Sequence, residues 1–156
     1  MNATRSTGLF LPVLAFASIM IMGSSASAEK VTKVEAVAMV KKAVALIRKE
    51  GPDKAYDELS DKTGPFVQGE FYIAVVGMDG TLLAYGADYD KVGDNILDLK
   101  DEDGKEVIKE RIELAKKEPS FWQSYKFMNP ATNTVEPKEM YCERLDETVV
   151  CGGIYE

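Results

Sequence analysis

The sequence of 156 residues contains no histidine and only two cysteines. Without histidine, the usual Ser–His and Cys–His catalytic arrangements and the C-x-x-C-H haem attachment motif are excluded. Cys142 and Cys151 do not form a C-x-x-C pair, so a thioredoxin-like redox site is not indicated either. Carboxylates are plentiful, but they are scattered along predicted helices and loops, as on solvated faces. The sequence therefore predicts no catalytic residue, no metal site and no cofactor.

The charge balance is acidic, with 26 Asp and Glu against 19 Lys and Arg and a formal net charge of −7. Nucleic acids and anionic membrane surfaces are themselves polyanionic and attract basic proteins. We therefore expect neither nucleic acid nor an anionic membrane surface as a partner.

The amino terminus has the pattern of a secretory signal peptide. Arg5 is the only charge in residues 1–28, an apolar run covers 9–22, and small residues at 26–28 form a cleavage site. The apolar run is short for a membrane span, which takes about 20 residues. We expect cleavage to leave a domain of residues 29–156 that is periplasmic or secreted, with no stable membrane anchor. A retained amphipathic anchor is the alternative.

Hydrophobic periodicity predicts an α+β fold with one five-stranded antiparallel sheet. In the first helix, for example, Val37, Val40, Val44 and Ile47 recur at helical spacing, and Gly51 follows as a stop signal. Short turns join consecutive strands, so the long amino-terminal helix and an inserted helix must cover the sheet. The predicted helices are 31–50, 52–61 and 105–117, and the predicted strands are 71–76, 81–85, 121–128, 138–145 and 148–155, with a turn at 129–137.

The two cysteines fall opposite each other if the last hairpin has a two-residue turn at Asp146 and Glu147. Counting outward from that turn pairs Cys142 with Cys151 in a non-hydrogen-bonded position, where Cα atoms approach to about 4.5 Å. This distance is near the lower limit for a disulfide, and an oxidising compartment favours the bond. We expect a structural disulfide, although a different loop length would shift the register.

The acidic stretch DLKDEDGKEVIKE invites a calcium-binding interpretation. Aligning Gly104 with the sixth position of an EF-hand loop places Leu99, which has no carboxylate, at the first position. The stretch is better interpreted as a helix start, where acidic residues favour the positive end of the helix dipole.

The segment WQSYKFMNPATNTVEPKEMY gathers Trp122, Tyr125, Lys138 and Tyr141 around one hairpin. A lysine among tyrosines suits a small carboxylate, because the ammonium supplies charge, the phenols donate hydrogen bonds and the rings exclude water. Alternatively, the aromatic residues belong to the core and Lys138 is an exposed edge-strand lysine. Strand alternation also puts Trp122 and Tyr125 on opposite faces unless a bulge intervenes. A buried, neutral Lys138 acting as a base is the one route to an enzyme.

The chain resembles single Cache domains, which are PAS-like extracellular sensor modules of chemoreceptors and sensor kinases. The resemblance lies in EFYIAVVGMDGTLLAYGADYDKVGDNILDLKDEDGKEV and FWQSYKFMNPATNTVEPKEMYCERLDETVVCGGIYE and extends over residues 31–156. The shared features, in order, are Tyr72, Asp79-Gly80, Val92-Gly93 before LKDEDG, the Trp122-to-Tyr125 strand, the Asn-Pro turn, Pro137-Lys138 with Tyr141, and Gly153-Ile154-Tyr155.

The resemblance implies a PAS-like fold with a pocket between the sheet and its covering helices and loops. Such pockets bind small molecules, often short organic acids. In this chain the resemblance implies Lys138 as the carboxylate partner and Trp122 and Tyr125 as pocket walls, with Tyr72 and Tyr141 as further candidates.

No second membrane helix, kinase or methyl-accepting region follows the last strand of this sequence. We therefore expect a free, non-catalytic periplasmic domain that binds a small carboxylate. It either buffers or scavenges the ligand, presents it to a membrane-bound signalling partner, or acts as a subunit of a larger periplasmic complex. The alternative is a ligand-free protein-interaction module of a periplasmic signalling or redox complex.

Overall fold

The computed structural model describes residues 30–156. The predicted signal peptide, residues 1–28, lies outside this range, so the division at residue 29 stays a prediction. Across residues 30–156, no helix is long and apolar enough to cross a membrane.

The described chain has the predicted α+β order of helices and strands. The first helix begins with a capping box in which the Thr32 hydroxyl accepts from the Glu35 N–H and the Glu35 carboxylate accepts from the Thr32 N–H. Gly51, at a φ of 84°, ends it. The helices are α1 Lys33–Glu50, α2 Pro52–Leu59 and α3 Val107–Lys117; the strands are β1 Ile73–Gly77, β2 Leu82–Tyr85, β3 Ser120–Asn129, β4 Thr134–Leu145 and β5 Thr148–Tyr155, with a 3₁₀ turn at Tyr89–Lys91.

The predicted turn over residues 129–137 is wrong, because β4 already begins at Thr134. β3 and β4 pair in continuous register from Ser120↔Glu143 to Asn129↔Thr134. Proline is disfavoured inside a central strand because it lacks a donor. On the β5 side, however, pairing ends at Lys138↔Tyr155, so Pro137 has no partner in β5.

The five strands form one antiparallel sheet in the order β2-β1-β5-β4-β3. α1 and α2 pack on one face of the sheet, and α3 and the segment 96–99 pack on the other. The α1 face is tightly packed at Gly152, where an added Cβ would lie 2.6 Å from the Phe71 ring and 3.0 Å from Val40.

The predicted disulfide is confirmed. The turn at Asp146 and Glu147 sets Leu145 opposite Thr148, and the register then brings Cys142 opposite Cys151. The two sulfurs are bonded and the Cα atoms are 4.1 Å apart. Both cysteines are fully buried beneath α3, so the bond fixes the β4–β5 hairpin from within the core.

Candidate ligand-binding site

A cavity of about 380 Å³ lies between the sheet, α3 and the segment that follows β2. Most of its lining residues are apolar, which suits the apolar part of a small molecule. The polar groups are three tyrosines, one arginine and a few charged residues of the loop after β2. The residues that line it are Tyr72, Ala74, Val76, Leu82, Tyr85, Asp88, Lys91, Asp94, Ile96, Leu99, Val107, Ile108, Arg111, Tyr125, Phe127 and Met140.

Arg111 is the buried cation of the cavity wall, with only 3% of its surface exposed. Its Nε donates to Gln123 Oε1 at 2.9 Å, and its Nη2 donates to the sulfur of Met140 at 3.5 Å. The adjacent Glu110 pairs with Lys105 instead, and none of the ion pairs within residues 30–156 includes Arg111. The guanidinium is therefore buried with no carboxylate of residues 30–156 within salt-bridge distance.

Tyr125 points its hydroxyl at the same sulfur atom as Arg111. The phenol donates to Met140 Sδ at 3.0 Å, and the Tyr125 ring lies 5.6 Å from the guanidinium carbon of Arg111. A thioether is a weak acceptor. Two good donors thus converge on a poor acceptor at the cavity wall, where a carboxylate would satisfy both better.

Lys138 is buried in an aromatic cage behind the cavity, with 1% of its surface exposed. Its Nζ donates to the hydroxyl oxygens of Tyr72 at 2.6 Å and Tyr155 at 3.2 Å, and lies 3.9 and 4.4 Å from the centres of the same two rings. Tyr72 lines the cavity and so connects Lys138 to it.

Burial is the main cause that holds the pKa of Lys138 well below its ordinary value of 10.5, and the positive charge of Arg111 adds to it. Glu70 acts weakly in the opposite direction. Burial also raises the pKa of Tyr72 well above 10, so this phenol stays protonated. The oxygen of Tyr72 accepts from Lys138, and the hydroxyls of Tyr72 and Tyr155 lie 3.5 Å apart, where either can donate to the other.

Trp122 and Tyr141 are not brought to the cavity. β3 and β4 pair without a bulge, so Trp122 and Tyr141 face each other on the opposite side of the sheet, with ring centres 5.3 Å apart. Tyr141 packs in the α1 core, and Trp122 is 38% exposed beside Lys33. Of the five residues predicted to bind ligand, Tyr72, Tyr125 and Lys138 are grouped on the α3 face.

The predicted site residues did not include Arg111, Gln123, Tyr85 or Tyr155. Arg111 follows Val107 by four residues and Ile108 by three, so it lies on the stripe of α3 that packs against the sheet. A charged residue on an apolar stripe was the available signal. Gln123 gave a similar signal, since it alternates with Phe121 and Tyr125 on the buried face of β3.

The family model for "Single Cache domain 2" matches residues 13–156. The chain belongs to the single Cache domain 2 family. The predicted family and the α+β fold are therefore confirmed. No curated protein matches the sequence.

Solved structures agree with this assignment. A methyl-accepting chemotaxis protein from Vibrio parahaemolyticus RIMD 2210633 is 26% identical, with a TM-score of 0.68 over 79% of this Cache domain and 87% of that chain. A Cache chemosensory domain, whose structure was described as the basis for carboxylic acid recognition, is 17% identical. Its TM-score is 0.68, and the match covers 78% of this chain and 91% of that chain. The periplasmic sensor domain of a chemotaxis protein is 18% identical. Its TM-score is 0.62, and the match covers 77% of this chain and 87% of that chain. The last two show a shared fold.

Proposed function

We propose that this Cache domain is a non-catalytic, periplasmic or secreted sensor domain that binds a short organic acid in the cavity beside α3. The observation that supports the proposal most strongly is the buried Arg111 guanidinium, which lines the cavity and has no acidic partner among residues 30–156. A membrane-bound signalling partner would read the bound state, as the resemblance to chemotaxis proteins suggests.

The buried part of the cavity wall favours an anion, because Arg111 is its buried charged residue, whereas the lining carboxylates Asp88 and Asp94 belong to the half-buried to exposed loop after β2. A cation that is buried without a counter-ion is destabilising, and a carboxylate that enters the same site removes that cost while gaining charge-assisted hydrogen bonds. Lys138 lies next to the cavity through Tyr72 and is also without a carboxylate within salt-bridge distance in the described chain. A carboxylate in the cavity therefore compensates the charge of Arg111 directly, and it also favours the charged form of the nearby Lys138.

The size and lining of the cavity favour a small ligand. A volume of about 380 Å³ is near the lower end of small-molecule sites, which span about 300–1,000 Å³. The aliphatic walls suit a short alkyl chain, whereas the donors are concentrated at Arg111, Tyr125 and Tyr72. We place the carboxylate at these donors, with Lys138 supporting Tyr72, and leave Trp122 and Tyr141 outside the binding set because they lie on the other face.

A non-catalytic role fits the partners of Lys138. Its amine is held by two phenols, and burial raises the pKa of both Tyr72 and Tyr155, so neither is a ready acid or base. No nucleophile with an adjacent base lines the described cavity. We accordingly propose binding without turnover.

A thermal-shift screen of the domain against acetate, propionate, lactate and pyruvate tests the proposal, with the corresponding amides and free amino acids as controls. We expect a saturable rise in Tm for at least one acid and a much smaller rise for its amide. If no acid raises the Tm, the proposal is wrong, and the protein-interaction module becomes the better interpretation.

A further inference from the structure

Gln123 joins the buried arginine of the cavity to the helix that carries it. The side chain is 2% exposed and lies on β3, directly beneath α3. Its Oε1 accepts from Arg111 Nε at 2.9 Å, and its Nε2 donates to the backbone oxygen of Val107 at 2.8 Å. Because the Val107 carbonyl can only accept, the amide orientation is fixed with its oxygen towards Arg111.

We propose that Gln123 is the positioning residue for the ligand carboxylate, because it holds the Arg111 guanidinium with its Nη edge open to the cavity. This inference rests on the proposed function. A guanidinium has five N–H donors. Gln123 occupies the Nε donor, and within residues 30–156 the only acceptor for Nη2 is the weak thioether of Met140. The carboxylate therefore meets the Nη1–Nη2 edge, in a bidentate pair.

The amide also keeps Arg111 available to an outside anion. Gln123 Nε2 donates to Glu110 Oε2 at 2.6 Å, and Glu110 in turn pairs with Lys105 at 2.8 Å. The neutral amide therefore stands between the guanidinium and the nearest carboxylate of α3. A carboxylate at position 123 would neutralise Arg111 from within the protein and could not donate to Val107.

Two substitutions separate positioning from simple packing. Gln123→Met keeps a similar volume but removes the hydrogen bond to Arg111, and Gln123→Glu supplies an internal counter-ion. Tyr141→Phe is the matched control, because it deletes one hydrogen bond, to Glu143, on the opposite face of the sheet. The affinities for propionate and for propionamide are measured by calorimetry in the parent and in all three variants.

We expect Gln123→Met to weaken propionate binding about tenfold, as for a lost charge-assisted contact. Gln123→Glu should weaken it further. The ratio of propionate to propionamide affinity should fall in both variants, whereas a merely structural role lowers both affinities equally. Tyr141→Phe should leave the ratio at the parent value.

A parent-like ratio in Gln123→Met and Gln123→Glu overturns the positioning role while leaving the proposed function intact. A parent that binds neither propionate nor any acid of the screen overturns both the positioning role and the proposed function.

A measurement without ligand adds a separate check on the geometry. The Arg111 Nε–H resonance should exchange slowly with solvent in the parent and faster in Gln123→Met, and equal exchange rates would contradict the hydrogen bond that the inference requires.

Discussion

The Nζ of Lys138 donates to the hydroxyl oxygen of Tyr72 at 2.6 Å and lies 3.9 Å from the centre of the Tyr72 ring. Lysine is thus buried against a phenol that faces the cavity, rather than against a carboxylate. The charged form of this amine is unfavourable in the fold because it is desolvated and lies near a second cation, Arg111. We therefore expect an anion in the cavity to favour the protonated form of Lys138.

This arrangement predicts a pH dependence of stability. The pKa of Lys138 is lowered in the folded state and close to 10.5 in the unfolded chain. Between those two values the unfolded chain binds more protons, so the free energy of unfolding rises with pH across that window. Denaturant unfolding of the parent and of Lys138→Met at several pH values measures the difference. We expect the free energy of unfolding to rise more steeply with pH in the parent than in Lys138→Met. The exposed Lys41→Met variant is the control and should behave like the parent. Parallel curves for the parent and Lys138→Met would show that Lys138 is charged in the fold.

Because the pKa of Lys138 is lowered in the fold, we expect an organic acid to bind more tightly at lower pH. A carboxylate near Lys138 favours the ammonium form and raises its pKa, so binding takes up a proton. Calorimetry in buffers with different ionisation enthalpies measures that uptake directly. We expect proton uptake in the parent and none in Lys138→Met. An apparent enthalpy that is the same in every buffer would rule out the linkage.

Gly153 gives a steric test of the Lys138 position. A Cβ at Gly153 would lie 2.6 Å from Lys138 Cε, so Gly153→Ala must displace the lysine side chain. We expect weaker acid binding and a smaller pH dependence of stability. Gly152→Ala is the matched control, since its Cβ meets Phe71 on the α1 face. Gly152→Ala should destabilise the fold by about 1–3 kcal/mol through overpacking but leave the affinity for the acid unchanged. An equal loss of affinity in both variants would refute the role of Lys138 in acid binding.

The disulfide between Cys142 and Cys151 should contribute measurably to stability. Closing a loop this short is worth about 2–3 kcal/mol in the chain-entropy account. For a domain of this size that corresponds to a fall in Tm of roughly 5–10 °C on reduction. Calorimetric scans with and without reductant test this, and the double Cys→Ser variant should not respond to reductant. An unchanged Tm in the reduced parent would mean that the bond adds nothing to stability.

The hairpin register was predictable because one local feature, the two-residue turn at Asp146 and Glu147, determines every pair up to Cys142↔Cys151. Tyr125 and Lys138 were singled out from the hairpin that holds them, and the family resemblance added Tyr72. Trp122 and Tyr141 show the limit of such a resemblance, since strand alternation places them on the α1 face.

The role of Arg111 could not be read from α3 alone. Its position on the apolar stripe shows only that it faces the sheet. The cavity that it lines is formed by residues far apart in the sequence, from Tyr72 to Met140. Tertiary contacts decide whether a buried arginine pairs with a carboxylate of the protein or lines a cavity. The local sequence pattern does not predict those contacts.

We propose that Arg111 is the cation that recognises an organic acid. The most direct measurement is a calorimetric titration of the parent and of Arg111→Met with the acid that gives the largest thermal shift. We predict saturable one-to-one binding to the parent and at least about a tenfold loss of affinity in Arg111→Met, while Tyr141→Phe binds like the parent. Equal affinities in the parent and in Arg111→Met would contradict the account, because the acid would then bind somewhere other than the cavity beside α3.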